Sequence, residues 1–136
     1  MAAKMQLNSL MANMFAKGLL DDQFQQVQML QDGSAPKFIA DIVTLFCKED
    51  ERIIGELAKL LNKPCVDFNK VYAFVHQLKG SSASIGAHRV NNSCIQLCKF
   101  CEEKSIYGCL KTLNVARNDF NDLCSKFQTM LEVSPC

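Results

Sequence analysis

The chain contains no nucleotide-binding loop. Neither GxxxxGKS, GxxxxGKT nor GxGxxG occurs in it, so nothing in the sequence provides for direct use of ATP. No apolar run approaches the roughly 18–20 residues of a membrane-spanning helix. The N-terminus lacks the basic-then-apolar layout and small-residue cleavage site of a secretory leader. An excess of one charge is also missing: 15 basic and 14 acidic residues leave a formal net charge of +1. That balance argues against a nucleic-acid partner, which usually requires a basic surplus. Sustained strand alternation is absent too, which excludes a sheet protein. The expectation is a soluble protein of cytoplasm or nucleus with no membrane or nucleic-acid partner. Its 136 residues, 49% of them apolar, suit one domain spanning 1–136 with a true core.

Cysteine, by contrast, is plentiful: Cys47, Cys65, Cys94, Cys98, Cys101, Cys109, Cys124 and Cys136. Without a secretory leader, reduced thiols are expected in preference to a disulfide framework.

Apolar spacing predicts six helices. The first, about 3–17, aligns Leu7, Leu10, Met11 and Met14 and ends at Gly18. The second, about 21–32, carries Phe24, Val27 and Leu30 after Leu20, with Asp22 and Gln25 as a capping box. A turn at Asp32-Gly33-Ser34 follows, and Ser34 and Pro36 suit the start of a long third helix. Its stripe is Ile39, Ile42, Phe46, Ile53, Leu57 and Leu60, its solvated face is Lys48-Glu49-Asp50-Glu51-Arg52, and it stops near Asn62 before Pro64. The fourth, about 67–85, starts at the cap Asp67, buries Val71, Val75, Leu78, Ser82 and Ile85, and breaks at Gly86. The fifth, about 88–104, aligns Val90, Cys94, Leu97 and Cys101. The sixth, about 109–131, aligns Leu113, Ala116, Phe120, Leu123, Phe127 and Met130. Short turns between them predict an all-α fold: an antiparallel four-helix bundle with two additional N-terminal helices packed at one end.

The chemistry concentrates in the fourth helix. Its core positions gather within about 80° of arc, and His76 lies roughly 140° from their centre, pointing outward. A neutral imidazole is a nucleophile near pH 7 and forms covalent intermediates. A phosphorus–nitrogen bond keeps a high transfer potential, which suits a group that must be passed on. Lys79, one turn away, offers a mobile positive charge for phosphoryl oxygens. Gly80 sits at i+4 from His76. A glycine inside a helix costs about 1 kcal/mol relative to alanine, and here it clears the surface beside the imidazole. Ala83 keeps the next turn low. Taken singly, an exposed histidine, a mid-helix glycine and a lysine are ordinary surface and packing residues. Their conjunction on one face is what points to phosphoryl chemistry.

The string HQLKGSSASIGA resembles the signature of histidine-containing phosphotransfer proteins, with Leu, Lys and Gly at +2, +3 and +4 from the phosphorylated histidine. In this chain these are His76, Leu78, Lys79 and Gly80. The strings GLLDDQFQQVQMLQD and VTLFCKEDERII are similar to the plant branch of the family that serves cytokinin signalling. The resemblance covers nearly the whole chain. It implies a carrier without autokinase activity, phosphorylated on His76, that relays between the receiver domain of a hybrid sensor kinase and that of a response regulator. Catalytic roles fall to His76 and Lys79; by nearness to His76 on the helix, Gln77, Gly80, Ala83 and Ser84 are the candidates for the docking rim, which unspecified apolar residues of the second and third helices are expected to extend. No cofactor is implied on this chain, Mg²⁺ belongs to the receiver partner, and the carrier is expected to be monomeric. Some plant relatives have Asn at the acceptor position and do not relay; this chain keeps His. One departure is His88, where relatives have Gln; no Lys-Gly pair follows it, and capping or solvent contact is its expected role.

Two other readings compete. Cys94, Cys98 and Cys101 lie at i, i+4 and i+7, and Cys98-x-x-Cys101 resembles half a zinc site. No second CxxC or histidine pair completes it, and buried thiols behave as small apolar groups, so core packing is preferred. A helical adaptor without chemistry is the other; it predicts receiver binding that is independent of His76.

Overall fold

Local chemistry sets the helix boundaries in this computed structural model, which describes residues 2–31 and 37–133. The helices are α1 (Ala2–Ala16), α2 (Asp22–Met29), α3 (Phe38–Leu61), α4 (Phe68–Ile85), α5 (His88–Glu102) and α6 (Ile106–Val133). The carboxylate of Asp67 accepts from Asn69 N at 3.1 Å and Lys70 N at 3.3 Å, satisfying two free donors at the start of α4. Gly86 ends α4 in the left-handed conformation (φ 79°). The predicted turn at 32–34 and the caps Ser34 and Pro36 lie outside the described residues.

Helices α3, α4, α5 and α6 form a closed ring in which each packs against two neighbours, while α1 lies on α6 and α2 on α4. With connections of two to six residues between them, successive helices run antiparallel. The predicted bundle with two additional N-terminal helices is therefore the observed architecture. The core stripes of α4, α5 and α6 are buried as the spacing predicts. Phe46, Phe120 and Phe127 meet at the α3–α6 seam, with ring centroids 5.6 and 6.3 Å apart, and Phe24 reaches Phe127 from α2 at 5.4 Å. Among the described residues there is no strand. An isolated bridge between Leu20 and Ala87 ties the α1–α2 turn to the α4–α5 corner, with Asp21 N donating to Gly86 O and His88 N to Leu19 O.

Several boundaries differ from the sequence reading. The cap of α2 is Asp21, not Asp22: its carboxylate accepts from Gln23 N at 2.9 Å. The bridge pairs Leu20 with Ala87 and Asp21 is itself extended (φ −123°, ψ −173°), so Asp21 stands at the cap position. Helix α2 also stops at Met29, which leaves Leu30 exposed and off the core. Helix α6 starts three residues sooner, where Ser105 Oγ accepts from Gly108 N at 3.0 Å. Gly108 hides that start from a propensity reading, and its missing side chain makes room for the half-buried Phe100 ring, which a Cβ there would displace.

The larger correction concerns Asp50, which does not join a solvated face. It is fully buried, and neither carboxylate oxygen makes a hydrogen bond. Position 50 lies four residues after Phe46, three before Ile53 and seven before Leu57, so helical period places it in the core stripe. Burial pushes its carboxyl up to about 7, assisted by Glu49 and opposed by Ser81 on α4. The folded state thus holds this proton more tightly than the unfolded chain, whose carboxyl titrates near 3.9. Asp50's contribution to stability is complete below about pH 4, falls as pH rises toward 7 and then levels, a change of up to about 4 kcal/mol. The pH-dependent difference in urea-unfolding stability between the parent chain and Asp50→Asn should follow that course. A difference that stays constant between pH 4 and 8 would show that Asp50 is ionised in the fold.

Candidate functional site

Helix α4 buries Val71, Val75, Leu78, Ser82 and Ile85 against the bundle, so its opposite face is free to carry chemistry. His76 lies there, with an exposed side chain. Tyr72, one turn earlier and half-buried, meets the imidazole edge to face, with ring centroids 4.4 Å apart at 80°. That contact restricts the ring without covering it. Gln77, Gly80, Ala83 and Ser84 are exposed with it. A Cβ built on Gly80 meets nothing within 4 Å. This glycine therefore serves no close packing inside the chain, and the surface beside His76 is bare.

The flanks of the face differ in character. On the α5 side, Lys79 is half-buried, and Asn91 Nδ2 donates to its carbonyl at 3.1 Å. The Lys79 charge lies near Cys98 of α5. Burial pushes the Cys98 thiol up, and Lys79 pulls the other way. On the α3 side, Ser81, Ser84 and Ile85 border a groove of about 220 Å³ with Ile42, Leu45, Phe46 and Glu49. Leu45 is 62% exposed there. Gln23 of α2 donates to Ser84 O at 3.3 Å, which anchors α2 at this end of the face. The backbone at Ser84 is thus held while its side chain faces solvent, its hydroxyl donating to Ser81 O at 2.8 Å.

The structure thus brings together all six site residues predicted from sequence on one face of one helix. Sequence reasoning missed Tyr72 and Leu45, and it placed Ile42 in the buried stripe of α3, where Val43 takes the core position and leaves Ile42 half-buried at the groove. Leu45 had a signal: it is a large apolar residue off the buried phase of an otherwise amphipathic helix. Tyr72 is i−4 from His76 and falls on the same face. His88 lies elsewhere, at the α4–α5 corner. Its Nδ1 is 3.5 Å from the Asp21 carboxylate and its Nε2 3.3 Å from Asn92 Nδ2. It joins the cap of α2 to the start of α5. Cys94 and Cys101 are buried, and burial pushes each thiol up to about 12, as core packing requires. Among the described residues, no group of three or more His, Cys, Asp or Glu is placed to hold a metal ion, and no helix is long and apolar enough to cross a membrane.

Residues 41–132 match the Hpt domain. The chain is 61% identical over 128 residues to histidine-containing phosphotransfer protein 1 of Oryza sativa subsp. japonica, covering 94% of this chain and 87% of the relative. Histidine-containing phosphotransfer protein 2 of the same plant is 56% identical over 133 residues, covering 97% and 89%. The crystal structure of a histidine-containing phosphotransfer protein from maize is 57% identical, covers 96% of both chains and superposes with a TM-score of 0.94. A matching domain, high identity across nearly the whole length and the same helical bundle place this chain in the Hpt family of histidine-containing phosphotransfer proteins, the carriers of phosphorelays.

Proposed function

We propose that His76 is the phosphoacceptor, and that the chain carries the group from the receiver domain of a hybrid sensor histidine kinase to that of a response regulator in cytokinin signalling. The observation that carries this reading is the exposed imidazole beside the bare helix surface at Gly80. Phosphoryl transfer needs an in-line nucleophile on a rigid element, and the protein contributes mainly position and charge. A ring nitrogen of His76 attacks phosphorus as the acyl-phosphate oxygen of the receiver aspartate departs. The reverse step at a second receiver empties the site. Lys79 offsets charge on the phosphoryl oxygens, and Mg²⁺ on the receiver supplies the remainder. Gln77, Gly80, Ala83 and Ser84 form the docking rim, and the Ile42–Leu45 shoulder extends it toward α3. The chain acts as a monomeric carrier in cytoplasm and nucleus and has no autokinase activity of its own.

His76→Gln should keep the helical circular-dichroism spectrum and take up no acid-labile phosphate from a phosphorylated receiver; labelling of this variant refutes the assignment. Lys79→Ala should fold normally and slow single-turnover transfer about tenfold or more, whereas an unchanged rate removes Lys79 from the mechanism. Gly80 separates clearance from packing. Gly80→Ala should raise stability by up to about 1 kcal/mol because it lifts the helix penalty, while Gly80→Leu should fold yet lose receiver binding at least tenfold. Unaltered receiver affinity in the leucine variant contradicts the clearance role.

A further inference from the structure

Cys47 on α3 and Cys124 on α6 take no part in the phosphoacceptor face. Both are half-buried, and both line a groove of about 350 Å³ between the two helices, beside Val43, Thr44, Glu51 and Gln128. The two side chains face that shared groove from opposite sides of the α3–α6 seam. The hydrogen bond from Cys124 holds the Cys47 thiol below its ordinary range, against the opposing effects of burial, Asp50 and Glu51. The same bond, together with burial, pushes the Cys124 thiol up. Of the two, Cys47 is the sulfur disposed to lose its proton first and Cys124 the one that keeps it. That is the state in which one sulfur is a nucleophile and its neighbour can resolve the product.

A second pair shows why contact alone is insufficient. Cys101 and Cys109 have their sulfurs 3.9 Å apart, but both are sealed in the core, and burial pushes both thiols up. They have proximity without access or a thiolate. Cys65 is exposed and has access without a described partner thiol. Cys47 and Cys124 share an open groove, and each thiol shifts the proton affinity of the other.

We propose that Cys47 and Cys124 form a dithiol that a hydroperoxide oxidises to a disulfide tying α3 to α6. The Cys47 thiolate attacks a peroxide oxygen, the O–O bond breaks, and with one proton the departing oxygen leaves as water, leaving a sulfenic acid. The Cys124 sulfur then attacks the Cys47 sulfur, the S–O bond breaks, and hydroxide leaves with the Cys124 proton as a second water. Two thiols are oxidised and one hydrogen peroxide is reduced to two waters. The new bond joins positions far apart in the chain and so restricts the unfolded state strongly.

The test treats the full chain at neutral pH with one equivalent of hydrogen peroxide and maps peptides by mass spectrometry without reduction. The expected product is a monomer lighter by two hydrogens, with the Cys47 peptide linked to the Cys124 peptide and a Tm higher by on the order of 10 °C. Cys124→Ser should stop at a sulfenic acid on Cys47 that dimedone traps, and Cys47→Ser should form no link. Linkage of Cys101 to Cys109 instead, or oxidation of Cys47 no faster than that of Cys65, overturns the proposal. The mapping of the parent chain decides the question even if a variant folds poorly, and none of these outcomes depends on His76.

Discussion

Helix α4 has to bury one stripe completely and keep the opposite one bare, and the other helices are arranged around that division. Val71, Val75 and Leu78 are fully buried among α3, α5 and the remaining core. The burial holds the helix as a rigid rail, since each apolar side chain removed from water contributes on the order of 1.5–3 kcal/mol. Packing is withheld only from the sector that holds His76, Gly80 and Ala83. A nucleophile that must meet an acyl phosphate on another protein gains precision from the rail and access from the bare sector. Tyr72 refines this by steadying the ring from one turn away.

The two glycines within HQLKGSSASIGA serve opposite purposes. Gly80 is surrounded by empty space, so its missing side chain matters only to a visitor. Gly86 is needed by the chain itself: it adopts a positive φ, and a Cβ there would stand 2.5 Å from Phe24 N and 2.7 Å from Asp21 Oδ1. The α4–α5 corner can therefore close onto the cap of α2, which is how the N-terminal helices come to brace the bundle next to the functional face.

Below that face the interior is less apolar than a bundle core need be. Asp50 and the Ser82 hydroxyl are fully buried without hydrogen bonds, and Cys47, Cys94 and Cys124 lie within the electrostatic reach of Asp50. An ionised carboxylate would be costly there, so neutral Asp50 is the form that fits. Soft, polarisable sulfurs around it are tolerable neighbours for a protonated acid. The same thiols supply the accessible pair at the α3–α6 groove.

Much of this was legible in the sequence because it depends on spacing within a single helix. The stripes Val71–Ile85, Val90–Cys101 and Leu113–Met130 repeat at three and four residues, and a period decides which side is buried whatever the partner is. The outward position of His76 and its company with Lys79, Gly80 and Ala83 follow from the same arithmetic. Asp50 was legible too by that rule, and its acidic neighbours concealed it. Tertiary structure alone decided matters that require two helices at once. It brought Leu45 alongside Ser84, placed Cys47 and Cys124 on one groove across 76 intervening residues, and moved the α2 cap to Asp21 through a bridge to Ala87. No periodicity within one segment encodes the distance to another, because that distance is set by how the buried stripes pack together.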